Sequence, residues 1–118
     1  MPYIDLKVTV DISDMQKESL KSGFGKTIRL ASGKNESQLM VCIEDEMNIW
    51  LAGKKLEKGA NVSIEYLGDI IAADLDKLSD SVYDLLACEL DISPENVYIE
   101  YKPVYHWGAH GRTIHVVG

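Results

Sequence analysis

The sequence has few cysteines, no clustered basic residues and no long apolar run. Its two cysteines, Cys42 and Cys88, form no Cys-x-x-Cys pair, which argues against a zinc knuckle or a thiol-redox motif. No apolar stretch approaches the roughly 18 residues that predict a membrane-spanning helix, so we expect no membrane partner. The N-terminus has neither a basic segment nor an apolar core, so we expect no signal peptide. These absences predict a reduced, cytoplasmic protein.

Charge and length narrow the class further. The chain carries 12 basic and 19 acidic residues, for a net charge of −7. Because phosphate contacts supply most nucleic-acid affinity, an acidic protein of this kind is not expected to bind nucleic acid. The length of 118 residues, of which 46% are hydrophobic, predicts a single folded domain over residues 1–118.

The first half of the chain reads as strand, helix, strand. Apolar residues alternate with polar ones over Tyr3–Val10, which predicts a strand with one buried face. Ser13 or Asp14 is then placed to cap a helix. The apolar positions of that helix recur at helical spacing, namely Leu20, Phe24, Ile28 and Ala31. We expect Gly33 to end it in the left-handed conformation and 39–43 to form a buried strand.

The second half repeats this order. Val62, Ile64 and Tyr66 alternate, and a second amphipathic helix carries Leu75, Leu78, Val82, Leu85 and Leu86. Ser93-Pro94-Glu95 predicts one further helical turn, followed by a strand over Val97–Tyr101. Short strands are also expected at 48–51 and at 113–117.

An offset of 56 residues superimposes the two halves, so that Val41–Glu44 falls on Val97–Glu100. This predicts an α+β fold in which two βαβ units form one four-stranded sheet with both helices on one face. We expect the other sheet face to carry apolar residues too, which then need a cover. With no third helix to cover it, self-association is then the simplest cover.

Pro2 is the first residue with possible chemistry. One interpretation is that it starts a strand at a position that needs no N–H donor. Alternatively, removal of Met1 makes Pro2 a secondary-amine N-terminus. Such an amine is largely unprotonated near neutral pH when burial or a nearby cation lowers its pKa. It is then able to act as a general base on a carbon acid.

The chain resembles the macrophage migration inhibitory factor branch of the tautomerase superfamily. The resemblance rests on Met1-Pro2 before an alternating strand, on Gly33-Lys34, and on Leu67-Gly68 before the second helix. Its most specific stretch is Ile92-Ser-Pro-Glu-Asn-Val-Tyr-Ile-Glu-Tyr101, and a last, altered motif runs over Trp107–Ile114. These anchors span the whole chain in the family's order.

This resemblance implies a catalytic set of Pro2, Lys34 and Tyr98. Pro2 is the implied base, Lys34 the cation that holds a carboxylate or enolate, and Tyr98 a wall of the pocket supplied with Glu100 by a neighbouring chain. Leu67, Glu100, Trp107 and Ile114 are the implied substrate-binding residues. The resemblance also implies a homotrimer in which the strand 113–117 bridges to a neighbour. Outside the resemblance, Lys34 also reads as a solvated lysine near a helix end, and Tyr98 as an ordinary strand aromatic.

Two departures from the family pattern concern the pocket. Glu100 stands where many relatives carry asparagine, and it would repel an anionic substrate unless Lys34 or Arg112 pairs with it. Ala109 replaces an aromatic residue, so we expect a less aromatic pocket. His106, His110 and His115 lie close in sequence, but without a further ligand motif we expect no metal site.

Two function classes remain open. The first is a keto–enol tautomerase similar to phenylpyruvate tautomerase, which needs no cofactor because the amine itself carries the proton. The second is a trimeric, cytokine-like interaction protein with vestigial catalysis and a protein receptor. Because members of the family leave cells without a signal peptide, export is compatible with either class.

Overall fold

The computed structural model describes residues 1–116, so Val117 and Gly118, the end of the strand predicted over 113–117, lie outside the described residues. The two α-helices of this region are α1 (Asp14–Ile28) and α2 (Ala72–Leu90). Its strands are β1 (Pro2–Val8), β2 (Met40–Glu44), β3 (Trp50–Leu51), β4 (Lys54–Lys55), β5 (Ala60–Leu67), β6 (Val97–Val104), β7 (His106–Ala109) and β8 (Arg112–His115). No helix in residues 1–116 has the length and apolarity needed to cross a bilayer.

The main sheet has the strand order β2-β1-β5-β6. β1 runs parallel to β2, β5 runs parallel to β6, and the two pairs join through the antiparallel contact of β1 with β5. Each parallel pair is connected by its helix, as a strand–helix–strand crossover requires. The predicted α+β architecture of two βαβ units in one four-stranded sheet is confirmed.

The core lies between one sheet face and both helices. Alternate residues of β1 and β5 point into it, with Ile4, Leu6, Val62 and Ile64 fully buried. They pack in one cluster with apolar side chains of the helices, among them Leu20, Phe24, Val82 and Leu86. Burial of each such side chain contributes about 1.5–3 kcal/mol, which explains why the alternating pattern fixes the strand faces.

The second sheet face, here called the polar sheet face, is mixed. It carries the expected apolar residues, namely Tyr3, Met40, Cys42, Leu67, Tyr98 and Val104, and among them the polar residues Asp5, Lys7, Glu44, Asn61, Ser63, Glu65, Glu100 and Lys102. The Lys7 ammonium lies 2.6 Å from Asp5 and 3.3 Å from Glu44, so charges on this face are partly paired. Self-association through this face would therefore cover both apolar and charged residues.

The first helix ends earlier than the sequence predicts. α1 stops at Ile28, and Ala31 is buried beyond its end. Gly33 does have the positive φ expected of it (78°), but as the third residue of a turn closed by the Lys34 N–H donating to the Ala31 carbonyl. Such a turn requires a left-handed residue at that position, which glycine supplies without strain. The glycine thus shapes a loop after the helix rather than the helix end.

The last motif folds as a β-hairpin that the sequence reading gave only in part. β7 pairs antiparallel with β8 in the register His106 to His115 and Trp107 to Ile114. His110 and Gly111 form the turn, both with positive φ. The Val116 N–H then donates to the Tyr105 carbonyl over 2.8 Å and closes the hairpin base. The strand expected from Thr113 is therefore present, and it begins one residue earlier.

Candidate active site

A cavity of about 650 Å³ opens beside the first residues of the chain. Met1–Tyr3 form one side of it, Gln38 and Met40 a second, and β7 with His110 a third. Pro2 and Trp107, both expected at a pocket, line this cavity. Its size falls in the usual range for a small-molecule site.

The N-terminal amine lies in a partly buried, cationic setting. Burial lowers the pKa of the Met1 amine below its usual value of 8.0, and the nearby Lys34 ammonium lowers it further. Both effects disfavour the protonated form. An amine at this end of β1 is therefore biased toward the free base.

Lys34 is held by its loop and by a backbone acceptor. Its ammonium donates a 2.9 Å hydrogen bond to the Leu67 carbonyl, and burial lowers the pKa of the Lys34 side chain. Asp74, only 8% exposed in the first turn of α2, accepts the Ser32 N–H over 3.2 Å. This carboxylate fixes the turn that carries Lys34, and it is a positioning residue that sequence reasoning missed.

Leu67 connects the lysine to the N-terminus. Its N–H donates to the Met1 carbonyl over 3.2 Å, while its own carbonyl accepts from Lys34. Gly68 follows with φ 80° and donates its N–H to the Val104 carbonyl. This left-handed turn, which glycine favours, stops β5 directly after Leu67. The backbone of Leu67 therefore lies between the two candidate charged groups.

Tyr98 and Glu100 lie elsewhere in the chain. Tyr98 is opposite Asn61, whereas Pro2 is opposite Tyr66, so five residues of β5 separate their levels. At the usual rise this is about 17 Å along the sheet. Tyr98 is 62% exposed, and it shares the polar sheet face with Glu100. One chain alone does not bring these two residues to the cavity.

Glu100 has partners within its own chain. Its carboxylate lies 3.8 Å from the Lys102 ammonium and accepts a 3.4 Å hydrogen bond from the Asn61 amide. These contacts differ from the pairing with Lys34 or Arg112 that the sequence reading considered.

Trp107 and Ile114 are brought together by the hairpin. They are directly opposite across β7 and β8, so their side chains share one hairpin face, and both are half-buried. Of the two, Trp107 lines the cavity. Ile114 therefore supports the tryptophan from the neighbouring strand.

Sequence reasoning missed several cavity residues. Tyr3, Gln38 and Glu65 line the cavity, as do His106 and His110. Tyr3 could have been predicted from the sequence, because it lies between Pro2 and Ile4 on the alternating strand β1. The others depend on the register of β1 with β5 and on the placement of the hairpin, which a single sequence does not encode locally.

One acidic group of possible ligands lies apart from this cavity. On the polar sheet face, ligand atoms of Asp5, Cys42 and Glu44 lie within 4.8 Å of one another. The Lys7 ammonium already contacts both carboxylates. A lysine in this position neutralises the charge that would attract a cation, so these residues do not suggest a metal centre.

Comparison with solved structures shows the same fold in several proteins. MIF2 of Leishmania major superimposes with a TM-score of 0.89 at 24% identity, covering 97% of each chain. Pt0534, solved after inactivation by 2-oxo-3-pentynoate, gives a TM-score of 0.82 at 14% identity, covering 96% of this chain and 95% of that one. A fused 4-OT asymmetric trimer gives 0.80 at 19% identity, covering 94% of each chain.

A comparison with curated protein sequences found no match. The family model described as macrophage migration inhibitory factor, in contrast, matches residues 1–114, nearly the whole chain. It includes β1 and the hairpin through Ile114, which contribute residues to the cavity, and the Lys34 turn, which does not line it but lies beside the N-terminus. The chain belongs to the macrophage migration inhibitory factor family.

Proposed function

We propose that this protein is a keto–enol tautomerase in which Pro2, freed by removal of Met1, is the general acid and base. The observation that carries the proposal is that the N-terminal end of β1 lines a cavity beside Lys34, where burial and that ammonium lower the pKa of the Met1 amine. A Pro2 amine freed there enters the same surroundings. A secondary amine held as the free base is suited to take a proton from a carbon next to a carbonyl.

The proton transfer needs no other reactant. The Pro2 nitrogen removes a proton from the α-carbon, and the electrons of that C–H bond form the C=C bond of an enolate. The prolinium then delivers the proton to the enolate oxygen, and the reverse sequence converts enol to ketone. Lys34 is the cation available to stabilise the negative oxygen or a substrate carboxylate, which favours an α-keto acid as substrate.

Loss of Met1 also exposes a donor. The Leu67 N–H now bonds to the Met1 carbonyl, and that acceptor leaves with the methionine. The freed N–H then lies next to Lys34 and the Pro2 nitrogen. A backbone donor and an ammonium together provide two contacts for one anionic group.

We further propose a homotrimer in which a neighbouring chain supplies Tyr98 and Glu100. Two observations support this assembly. Tyr98 is exposed and about 17 Å from the level of Pro2 within its own chain, and a protein of the same fold has been solved as an asymmetric trimer. The edge strands β2 and β6 also leave rows of backbone groups available for pairing.

The decisive experiment compares two preparations of the same chain, one beginning at Met1 and one at Pro2, each verified by intact mass. With phenylpyruvate, an aromatic α-keto acid, we expect activity only in the second preparation. Pro2→Ala, also beginning at residue 2, should lower kcat/KM by about 10²-fold, because a general base commonly contributes 10²–10⁴-fold. Some rate should remain, since alanine offers a primary amine.

Equal activity of the two preparations would remove Pro2 from the mechanism. A folded preparation that begins at Pro2 but shows no activity would instead favour the interaction-protein hypothesis, in which a receptor binds the assembled surface and catalysis is vestigial.

A further inference from the structure

The hairpin places two imidazoles face to edge, and one of them, His106, lines the cavity. His106 and His115 are directly opposite across β7 and β8, and their rings lie 5.1 Å apart at an interplanar angle of 68°. Their Nδ1 atoms are 2.8 Å apart, and both residues are exposed. The pair is fixed between the hairpin turn and the hydrogen bond from Val116 to Tyr105 that closes the base.

This contact constrains the tautomers of the two rings. A hydrogen bond between two Nδ1 atoms needs one of them to carry the proton and the other to offer its lone pair. A metal ion in place of that proton is able to accept the lone pairs of both Nδ1 atoms. Imidazole is a common ligand for copper, nickel and zinc.

The distance between the two nitrogens favours a particular geometry. When two metal–nitrogen bonds of about 2.0 Å meet at a right angle, the two nitrogens lie about 2.8 Å apart. When they meet at the tetrahedral angle, the nitrogens lie about 3.3 Å apart. Square-planar and tetragonal sites are typical of Cu²⁺ and Ni²⁺. Because both rings are exposed, small side-chain rotations are enough to point both lone pairs at one ion.

Charge and access favour a cation here. The chain has a net charge of −7, and His106 lines the cavity while His115 lies opposite it on the paired strand β8. Two protein ligands leave the remaining coordination positions open to water or to a molecule in the cavity. The sequence suggested no metal because it lacked convergent ligands, and the hairpin register supplies that convergence.

We propose that His106 and His115 form a two-imidazole site that binds Cu²⁺ most tightly, Ni²⁺ less tightly and Zn²⁺ least. The general affinity series of divalent metals places Cu²⁺ above the other two, and the preferred right-angle geometry places Ni²⁺ above Zn²⁺. The site does not depend on the tautomerase proposal, and it uses none of the residues assigned to that reaction.

The test titrates the full-length protein with CuCl₂ or NiCl₂ alone and follows the heat of binding. His106→Gln and His115→Gln should each weaken the strongest site by about tenfold or more, since even indirect ligand partners are worth 10–100-fold. His110→Gln is the matched control, because His110 is exposed on the same hairpin but outside the pair, and it should bind as the wild type does. The nickel titration also controls for thiol oxidation, because Ni²⁺, unlike Cu²⁺, does not oxidise Cys42 or Cys88.

A second measurement needs no variant. The electron paramagnetic resonance spectrum of the wild-type protein with one equivalent of Cu²⁺ should show two coupled nitrogens in a tetragonal site. The proposal is overturned if that spectrum shows no pair of nitrogens. It is also overturned if the double variant of His106 and His115 keeps wild-type affinity, or if His110→Gln weakens binding as much as the paired variants do.

Discussion

At the scale of single residues, the N-terminal amine owes its low pKa first to burial and then to Lys34. The family resemblance led to the prediction that Pro2 and Lys34 act together. It was not enough to find Asp74, because the hydrogen bond from Ser32 to Asp74 joins residues from the loop after α1 and from α2. Such a contact depends on how the helices pack, which local sequence does not specify.

Replacement of Lys34 tests the electrostatic part of this arrangement. In Lys34→Met we expect the pKa of the Met1 amine to rise, while burial still holds it below 8.0. In the chain that begins at Pro2, the base is active only when unprotonated, so the acidic limb of kcat/KM should move to higher pH. An NMR titration of the amine and a pH–rate profile measure the two effects.

The matched control is Lys26→Met, which removes an exposed lysine from the last turn of α1. It should leave the amine and the pH profile unchanged. An acidic limb that stays in place in Lys34→Met would show that Lys34 does not act on the base.

At the scale of elements, α1 shows where local signals succeed and where they fail. Ser13 was one of two expected caps, and it forms a full capping box, with bonds of 3.1 and 3.0 Å to Gln16. The end of the helix was misplaced, because the apolar spacing continues to Ala31 while the backbone has already turned. Ala31 is buried after the end of α1, so its position in the sequence matches helical spacing although its backbone is not helical.

Removal of the cap should cost stability. We expect Ser13→Ala to lower the free energy of unfolding by about 1 kcal/mol, the usual value for a lost N-cap. Ser22→Ala, at an exposed position inside α1, should instead be neutral or slightly stabilising, because alanine is the better helix former. Urea unfolding of both variants measures the difference, and equal losses would mean that the capping box contributes nothing.

At the scale of the whole molecule, the four-stranded sheet, its two parallel strand pairs and both helices followed from hydrophobic periodicity and the internal repeat. The polar sheet face did not, because the pattern was read for its apolar residues and not for Asp5, Ser63 or Lys102 beside them. Two atoms on that face, Asp5 Oδ1 and Ser63 Oγ, are buried without a hydrogen-bond partner among the described residues. The way in which chains assemble around this face decides whether Tyr98 and Glu100 of a neighbouring chain reach each cavity.

A complementation experiment tests that assembly. Lys34→Ala and Tyr98→Ala chains, each weakly active alone, are refolded together in equal amounts. If a neighbouring chain supplies Tyr98, random trimers should contain about one quarter of intact sites. Phenylpyruvate turnover per chain should recover to that fraction of the wild-type value.

Refolding Lys34→Ala with Pro2→Ala gives the control, because Lys34 and Pro2 belong to the same chain's part of the site. That mixture contains no intact site and should show no recovery. Recovery there as well, or its absence from the first mixture, would contradict a shared site.

The position of β1 inside the sheet also sets a time limit on N-terminal processing. In the folded chain Pro2 is buried, and the carbonyl before it is bonded to an N–H that lies 66 residues later. At usual rates of synthesis, the ribosome needs about 3–13 s to make that partner. If an aminopeptidase removes the methionine, it therefore competes with folding during synthesis. Rapid overproduction would yield a mixture of two N-termini, and later treatment of the folded protein would act only on molecules in which β1 has come away from β5.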